Sequence, residues 1–471
     1  MSRDPQNHTW LKVVLILLIL AMIGATAYVI GLCLNLDVPQ LSPPETESSL
    51  FATEAPQPTE TEPPETTVPE PEKVVSTATV ASMGDILMHI QLFSDLPRYN
   101  SVNNLGDGNY NFDSIFTHLA EDISGYDYAV ANLETTFGGD DFPYQGNPSF
   151  NCPDALADAM AAAGYDMLLT ANNHCGDTLM TGIDRTLQVV REAGLATLGT
   201  QLPEEPNYSI VEINGIRIGM VCYTYALSTV EGKPNLNGNT PVANPEQVNW
   251  FTFNNLDKLY SEMETILAQM EADGAEATIL YIHWGDEYFL EENHRQNAIA
   301  QKMCDLGVDV IVGGHPHVVQ PMELLTSTTD ESHKTVCLYS MGNAVSNQRY
   351  GNISRISTPH TEDGLIFTVT FEKYSDGTVY LAETDVMPTW VNMHYATGKR
   401  EYNILPLDSE QMDQWAEQFG VDETIATAAR NSYTRTMAIV GPGLWESQMY
   451  LEQAKADREA YYLELATAAA E

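Results

Sequence analysis

The sequence has little positive charge. Its 471 residues include 21 Lys and Arg against 65 Asp and Glu, which gives a formal net charge of −44 at pH 7. A chain this acidic repels nucleic acid and anionic membrane surfaces, so we exclude nucleic acid as a partner. It also repels a polyanionic substrate unless cations bound at the site neutralise part of the charge. The simpler interpretation is that the charge keeps an exported protein soluble.

Cysteine is also scarce. The chain has six cysteines, and no two of them have C-x-x-C spacing. This scatter excludes a disulfide framework. Cys33 lies in an apolar run, and the remaining five cannot all pair within one chain. We expect most of them to be buried as small apolar groups.

One long apolar run is present, at residues 13–34. About 22 residues are enough to cross a bilayer as a helix. Arg3 and Lys12 precede the run and acidic residues follow it, so the positive-inside rule places residues 1–12 in the cytoplasm and the bulk of the chain outside the cell. The sequence therefore predicts a single-pass signal-anchor in the cell membrane. Ala25-Thr26-Ala27 leaves a cleaved signal peptide as the alternative.

The next two regions differ in composition. Residues 35–73 are rich in Pro, Glu and Thr, which predicts a disordered, self-repelling tether. Residues 74–390 alternate apolar strands with helical segments and contain two hairpin signals, Asn214-Gly215 and Asp376-Gly377. This pattern predicts a layered α/β domain with mixed sheets. A long polar loop, residues 228–249, has the length of a lid or binding loop.

The C-terminal region has a different pattern. Residues 391–471 predict a small helical appendage, with Gly441-Pro442-Gly443 as a break between helices. No cluster of ligand-type side chains occurs in this region, and we assign it no chemistry.

Two histidines follow one apolar strand. The run from Val308 to Val312 predicts a buried strand, and Gly313-Gly314-His315-Pro316-His317 comes directly after it. In an extended chain residues i and i+2 point to the same side. Because neutral imidazole is the commonest metal ligand in proteins, the pair indicates a metal site.

Five other apolar strands also end in polar, ligand-type residues. Ligands bind at the carboxyl ends of strands in open α/β sheets, so we expect these residues to share one cleft. Carboxylate, amide and imidazole ligands suit Mn, Zn or Fe and exclude copper–thiolate and iron–sulfur sites. There are too many for one tetrahedral ion, which favours two divalent ions that share a carboxylate. The candidates are Asp85, Glu134, Asn173, His174, His283, His315 and His317.

Six short segments in this order resemble a known family, the CapA-like proteins of poly-γ-glutamate capsule synthesis, within the calcineurin-like metallophosphoesterase superfamily. The resemblance covers residues 74–390 and implies an α/β/β/α sandwich of the metallophosphatase type. The segments are Gly84-Asp85, Asn132-Leu133-Glu134, Asn172-Asn173-His174, His283-Trp284-Gly285, Gly314-His315-Pro316-His317 and Ser340-Met341-Gly342-Asn343.

The resemblance also implies a role for each candidate. Asp85 and His317 would bind the first metal, and Glu134 would bridge the two. Asn173, His283 and His315 would bind the second metal, and His174 would protonate the leaving oxygen. The superfamily's first motif is D-x-H, whereas the next histidine here is His89, four residues after Asp85. His89 would be a ligand if the intervening stretch forms a helical turn, and free if it forms a loop.

Four neighbouring residues have two interpretations each. Asp286 and Glu287 would either orient His283 as acceptors or belong to a solvated loop. Asp177 would hold the His174 ring or cap the next helix. Asn343 would touch substrate or form its own turn.

These features predict an extracellular, membrane-anchored dimetal hydrolase that acts on a phosphoester in capsule or poly-γ-glutamate biosynthesis. The expected partners are a cell-envelope polymer or phosphoester substrate, the membrane, and other capsule-synthesis membrane proteins. Two alternatives remain open. One is a non-catalytic accessory or binding factor for export of an anionic surface polymer, and the other is a hydrolase of γ-glutamyl or other amide bonds on the same two metals.

Overall fold

The structure, a computed structural model, describes residues 73–238 and 240–470. Among these residues no helix has both the length and the apolarity that crossing a membrane requires. The predicted cytoplasmic residues 1–12, the signal-anchor at 13–34 and the tether up to residue 72 lie outside the described residues.

Strands and helices alternate along most of the described chain. The strands are β1 (Val74–Ile86), β2 (Asn104–Gly106), β3 (Asn109–Tyr110), β4 (Tyr128–Leu133), β5 (Met167–Leu169), β6 (Ala196–Leu198), β7 (Ser209–Ile213), β8 (Ile216–Tyr225), β9 (Ser228–Val230), β10 (Lys233–Asn235), β11 (Trp250–Phe251), β12 (Ala277–His283), β13 (Val310–Gly314), β14 (Met322–Thr326), β15 (Lys334–Leu338), β16 (Asn343–Val345), β17 (Asp363–Tyr374), β18 (Val379–Ala396) and β19 (Lys399–Pro406). The α-helices are α1 (Asp113–Phe116), α2 (Ala120–Ser124), α3 (Ala155–Ala162), α4 (Leu179–Glu192), α5 (Leu256–Ala272), α6 (His294–Asp305), α7 (Trp415–Gln418) and α8 (Glu423–Ala470).

Two mixed sheets form the centre of the fold. The first has the order β19-β18-β17-β1-β4-β5-β6, with β16 also paired to β1. The second has the order β11-β8-β12-β13-β15-β14, with β7 paired to β8. In both sheets the strands followed by predicted ligands run parallel, while antiparallel strands complete the edges. The mixed sheets predicted from the sequence are therefore present.

The two sheets pack face to face. Val80 of β1 and Tyr281 of β12 belong to one buried cluster between them, and the Ser82 hydroxyl lies 3.1 Å from the Tyr281 hydroxyl across the interface. Each fully buried large apolar side chain in such a layer contributes about 1.5–3 kcal/mol. The central strands are buried on both faces, which explains their nearly continuous apolar sequences.

Helices cover the outer faces of the sandwich. Leu156 of α3 and Val190 of α4 pack with Met83 on the outer face of the first sheet. Met263 of α5 and Ile299 of α6 pack on the outer face of the second sheet. The domain is thus a mixed α/β sandwich.

Parallel pairing aligns the strand ends. Asp85 lies in register with Asn132 of β4 on one side and with Asn343 of β16 on the other. His283 at the end of β12 lies in register with Gly314 at the end of β13. β1 and the chain before β16 approach closely at Gly84, where a Cβ would lie 2.0 Å from the carbonyl oxygen of Gly342. A side chain at this position would therefore push the two segments apart.

The start of the C-terminal region is strand rather than helix. β18 continues from Val379 to Ala396, so the predicted boundary between residues 390 and 391 falls inside a strand, and β19 extends the same sheet. Tyr402 and Ile404 are buried in the first-sheet core. The change in composition at residue 391 thus reflects an edge hairpin of the sandwich.

The predicted break in the C-terminal helix is wrong. α8 runs from Glu423 to Ala470 through Pro442. A Cβ at Gly443 would lie 1.7 Å from the carbonyl oxygen of Met322, so glycine serves the close packing of α8 on β14 here. Contacts with β18 and β14 support the helix where its own sequence predicts an interruption.

Candidate metal centre

The predicted ligands meet at the carboxyl edge shared by the two sheets. Asp85 and His283 lie on β1 and β12, and the others follow the ends of β4, β5 and β13. Each of the seven candidates is at most 6% exposed, and they are Asp85, Glu134, Asn173, His174, His283, His315 and His317. Such a concentration of buried polar side chains requires partners or a bound cation.

Glu134 lies at the middle of this cluster. Both of its carboxylate oxygens are buried and have no hydrogen-bond partner. It belongs to two groups whose ligand atoms lie within 4.8 Å of one another, one with His315 and His317 and the other with Asp85 and His283. Burial, and then the charge of Asp85, raises the pKa of Glu134 well above its usual value. A carboxylate without a hydrogen-bond partner, common to two ligand groups, fits a position shared by two cations.

Asp85 has polar partners on both of its oxygens. The Asn132 amide donates to Oδ1 at 2.7 Å, and His317 Nδ1 lies 3.0 Å from Oδ2. Burial by itself raises the pKa of Asp85, but the hydrogen bond and charge of His317 outweigh it, so the pKa lies below the usual value. Asp85 is therefore held as a carboxylate, the form that binds cations.

Two imidazoles and an amide meet beside Glu134. His283 Nε2 lies 2.9 Å from the Asn173 amide oxygen and 3.2 Å from His315 Nδ1. Burial lowers the pKa of His283 to about 3 and lowers that of His315 well below its usual value. Both rings are therefore neutral at physiological pH and can offer lone pairs to a cation. These three residues are the set that the resemblance implied for the second metal.

The two histidines after β13 converge in a way that the sequence did not predict. β13 ends at Gly314, and His315 and His317 have φ angles of 98° and 57°. The left-handed region is unfavourable for residues with a Cβ and occurs often at functional sites. A left-handed bend, and not an extended strand, therefore brings the two rings to Glu134.

His174 lies beside the metal-ligand groups with its ring held in place. Its Nδ1 is 2.7 Å from Asp177 Oδ2, and the Asn237 amide is 3.1 Å from the same nitrogen. The Phe150 ring packs edge-on against it at a centroid distance of 4.6 Å. Asp177 thus contacts the His174 ring, the first of its two predicted roles, and Asn237 comes from the predicted loop at 228–249.

Three further candidates, His89, Asp286 and Glu287, do not have the ligand or orienting contacts considered for them. His89 precedes a short 3₁₀ helix and belongs to neither ligand group; its Nδ1 is near the backbone of Leu87 and Asn347. Asp286 accepts a hydrogen bond from Asn293, and Glu287 pairs with Arg355, so the structure records no contact of either with His283. The chain after Asp85 is not the helical turn that would bring His89 back to the site.

Asn343 contacts a predicted ligand. Its Oδ1 lies 3.1 Å from His317 Nδ1, and its Nδ2 donates to the His317 carbonyl oxygen at 3.2 Å. The other contacts of the same amide are Gln348 and Thr361. Asn343 therefore orients His317 from the neighbouring strand β16.

Two site residues had no predicted role. Asn132 donates to Asp85, and its Nδ2 lies 3.5 Å from His283 Nδ1, so one amide contacts a ligand from each sheet. The Tyr225 hydroxyl lies 3.1 Å from His315 Nε2. Both residues stand at or near strand ends, which is the signal that could have identified them.

A cavity of about 510 Å³ opens onto the cluster. Asn173, Tyr225, Asn237 and His315 line it, and it gives the buried ligands a route to solvent. A larger cavity of about 590 Å³, lined by Trp250 and residues of α5, contains none of the predicted ligands. Of these two cavities, the former reaches the ligand groups and the latter does not.

Comparisons with known proteins agree with this arrangement. The family described as "Bacterial capsule synthesis protein PGA_cap" matches residues 79–348, which include all six strand-end segments. The chain is 26% identical over 355 residues to "Capsule biosynthesis protein CapA" of Bacillus anthracis, covering 72% of this chain and 75% of that protein. It is 28% identical over 242 residues to "PGA biosynthesis protein CapA" of Bacillus subtilis, covering 50% and 57%. This chain therefore belongs to the bacterial capsule synthesis protein family PGA_cap.

Proposed function

We propose that this capsule-biosynthesis protein is a hydrolase that depends on two divalent metal ions and acts on a phosphoester of the cell envelope. The observation that supports the proposal most strongly is Glu134, a buried carboxyl group that has no hydrogen-bond partner and is common to two ligand groups. Burying a carboxyl group without hydrogen bonds is unfavourable whether or not it is charged, so packing of the core does not account for it. Bound cations would remove that penalty.

The proposed ligand sets are those that the resemblance implies, and the contacts of Asp85 with His317 and of His283 with Asn173 and His315 support them. Asp85 and His317 would hold one ion, Asn173, His283 and His315 would hold the other, and Glu134 would be shared. The chemistry that two divalent ions would supply here is activation of a water molecule and neutralisation of negative charge on the phosphoryl oxygens. Mn, Zn and Fe all suit this ligand set.

The chain's own residues would position the substrate and move a proton. His174 would donate a proton from Nε2 to the leaving oxygen, and Asp177 would hold the ring in orientation by accepting from Nδ1–H, with the Asn237 amide packed beside the same nitrogen. The Phe150 ring packed against His174 limits access of water from that side.

We further propose that the folded part works outside the cell, anchored by the apolar run at residues 13–34 and spaced from the membrane by the acidic tether. A cell-envelope polymer and other capsule-synthesis membrane proteins would be its partners. The acidic surface would favour cation uptake at the site, which in turn would admit an anionic substrate.

Two other functions remain open on the same site. The name of the Bacillus subtilis relative, a PGA biosynthesis protein, favours a γ-glutamyl or other amide bond as the target. Export of an anionic polymer without catalysis would need no cleavage at all, but the set of ligand-type residues at the strand ends favours an enzyme.

Elemental analysis of the purified protein, followed by a screen of phosphomonoesters, phosphodiesters and γ-glutamyl amides with Mn, Zn and Fe, tests the proposal. We expect about two metal ions per chain and metal-dependent release of phosphate or alcohol. Asp85→Asn and His315→Ala should lose metal and activity together, whereas His294→Ala, at an exposed histidine on α6, should keep both. Full metal occupancy in the two site variants would contradict it.

A further inference from the structure

A second cavity beside the metal centre has a charge opposite to that of the whole chain. It has a volume of about 500 Å³ and is lined by Arg355 and Arg400, together with Tyr99 and Tyr288. Among the described residues, no aspartate or glutamate lines it. Since acidic residues outnumber basic ones by 65 to 21 in this chain, two arginines without a lining carboxylate form a local exception.

Arg400 lines this cavity and carries a donor that makes no hydrogen bond. Its Nε is buried and has no hydrogen-bond partner, while its Nη2 lies 3.3 Å from the Tyr395 hydroxyl. The guanidinium carbon lies 5.8 Å from the centre of the Tyr99 ring. A charged donor that is buried and unpaired is unfavourable unless an acceptor arrives. The guanidinium fork matches the geometry of a carboxylate or phosphate.

Arg355 connects this cavity to the metal cleft, because it lines both. Its side chain is 72% exposed and stands 5.5 Å above the Tyr288 ring. Its ion pair with Glu287, at 3.3 Å, is at the surface, where such pairs contribute little. An incoming oxyanion can therefore share or replace Glu287.

The residues that line the second cavity also lie next to the proposed catalytic groups. Tyr288 packs near His317, with ring centres 6.2 Å apart. His89 also lines the second cavity, and its ring is 5.2 Å from Phe150, which in turn contacts His174. Burial lowers the pKa of His89 to about 3, so this ring is neutral and adds no charge.

We propose that the cavity lined by Arg355 and Arg400 is an oxyanion subsite, which binds a carboxylate or phosphate on the same substrate molecule whose reacting bond lies at the metal centre. The subsite itself depends only on the positions of the two arginines, whereas its link to a reacting bond rests on the proposed function above. The substrate would then carry a negative group next to the bond that is cleaved, and Arg355 and Arg400 would determine this specificity.

Calorimetric titration of the full-length protein, first stripped of metal with a chelator, tests the subsite without any need for catalysis. The probes are a triglutamate peptide, which offers carboxylates, and inorganic triphosphate, which offers phosphate. We expect at least one probe to bind, with an affinity that falls as salt is raised. The probe that binds identifies which oxyanion the subsite accepts, and absence of binding by both would overturn the proposal.

Three arginine variants make the test specific. Arg400→Gln and Arg355→Gln should each weaken binding at least tenfold, and Arg400→Lys should recover part of the loss because it keeps the charge without the fork. Arg98→Gln is the matched control, since the Arg98 guanidinium carbon lies 4.6 Å from the centre of the same Tyr99 ring but Arg98 lines neither cavity. Unchanged affinity in both Arg355→Gln and Arg400→Gln would refute the subsite.

Metal content separates this proposal from the function proposed above. Arginine-dependent binding in a protein that takes up no metal would leave the subsite standing and end the hydrolase proposal. Metal-dependent hydrolysis, together with a probe affinity that neither arginine variant changes, would refute the subsite and leave the hydrolase proposal standing. Thermal unfolding of each variant shows whether a loss of binding reflects the side chain or the fold.

Discussion

Two buried carboxylates in this protein have opposite surroundings. Glu134 at the metal centre has no hydrogen-bond partner for either oxygen, whereas Asp363 at the start of β17 accepts hydrogen bonds from Ser432 and from both Nε and Nη2 of Arg435. Both are at most 1% exposed. Burial alone therefore does not identify a functional carboxylate; the presence or absence of a protein partner does.

The contacts of Asp363 and Glu134 have different consequences. Ser432 and Arg435 lie on α8, so the Asp363 contacts fasten the C-terminal helix to the first sheet. Glu134 makes no such contact, because the closest basic groups to it are imidazoles 3.5 and 3.7 Å away. One carboxylate contributes to the stability of the fold, and the other lies where a cation is proposed to bind.

Glu134→Gln should have the largest effect on metal binding. Changes to residues that only support a metal ligand weaken affinity about 10–100-fold, and loss of a shared ligand should exceed about 100-fold. The free energy of unfolding of the metal-free protein should stay the same or rise, because an unpaired buried carboxylate is removed. Metal titration and denaturant unfolding measure the two effects. A Glu134→Gln variant that is less stable but still binds metal fully would show that Glu134, like Asp363, serves the stability of the fold.

Asp363→Asn should give the reverse result. Arg435 would lose its charged partner, and we expect the free energy of unfolding to fall by about 3 kcal/mol, with metal content unchanged. Glu423→Gln is the control, because Glu423 pairs with Arg430 on the exposed part of the same helix and should change stability by less than about 0.5 kcal/mol. Loss of metal in Asp363→Asn with a stable fold would contradict this division of roles.

His283 and Asp363 should contribute to the pH dependence of stability with opposite signs in the metal-free protein. His283 has a folded pKa of about 3, below its unfolded value, so the unfolded chain takes up more protons and stability falls as the pH drops below about 6.5. Burial raises the pKa of Asp363 to about 7 despite Arg435, so the folded state holds the extra proton and stability falls as the pH rises from about 4 toward 7.

Denaturant unfolding at pH 6.5 and pH 5 checks these signs. His283→Asn should remove up to about 2 kcal/mol of the loss seen on acidification, at about 1.4 kcal/mol per pH unit. Asp363→Asn should instead increase the stability lost on acidification. The reason is that protonation of folded Asp363, which stabilises the native protein as the pH falls, no longer occurs. If the free energy of unfolding changes equally between pH 6.5 and pH 5 in the unsubstituted protein and in both variants, titration of His283 and of Asp363 is ruled out as the source of the change.

Gly443→Ala should have the smallest effect and tests how α8 reaches the sandwich. The new methyl group would meet the Met322 carbonyl oxygen, so the helix must shift, and we expect a loss of about 1–2 kcal/mol. Gly441→Ala is the matched control, because nothing lies within 4 Å of a Cβ at that position and alanine favours helix. Equal stability of the two variants would show that the close approach is not needed.

Much of the fold follows directly from the sequence. Apolar runs buried on both faces predict the central strands, and Asn214-Gly215 predicts the turn between β7 and β8. The edge hairpin of β18 and β19 and the continuous helix α8 were missed because local signals disagree with tertiary packing. Pro442 indicates a break in isolation, but contacts with β14 and β18 support the helix through it.

The sequence by itself determined which side chains stand at strand ends, because hydrophobic periodicity marks where each buried strand stops and a polar residue follows. Only the tertiary structure decided which of them meet. Asp85 and His317 are 232 positions apart, and their contact depends on strand register, on the packing of two sheets and on a left-handed bend at His315 and His317. These are long-range properties, so no local pattern could separate Glu134, which lacks a partner, from Asp363, which has one.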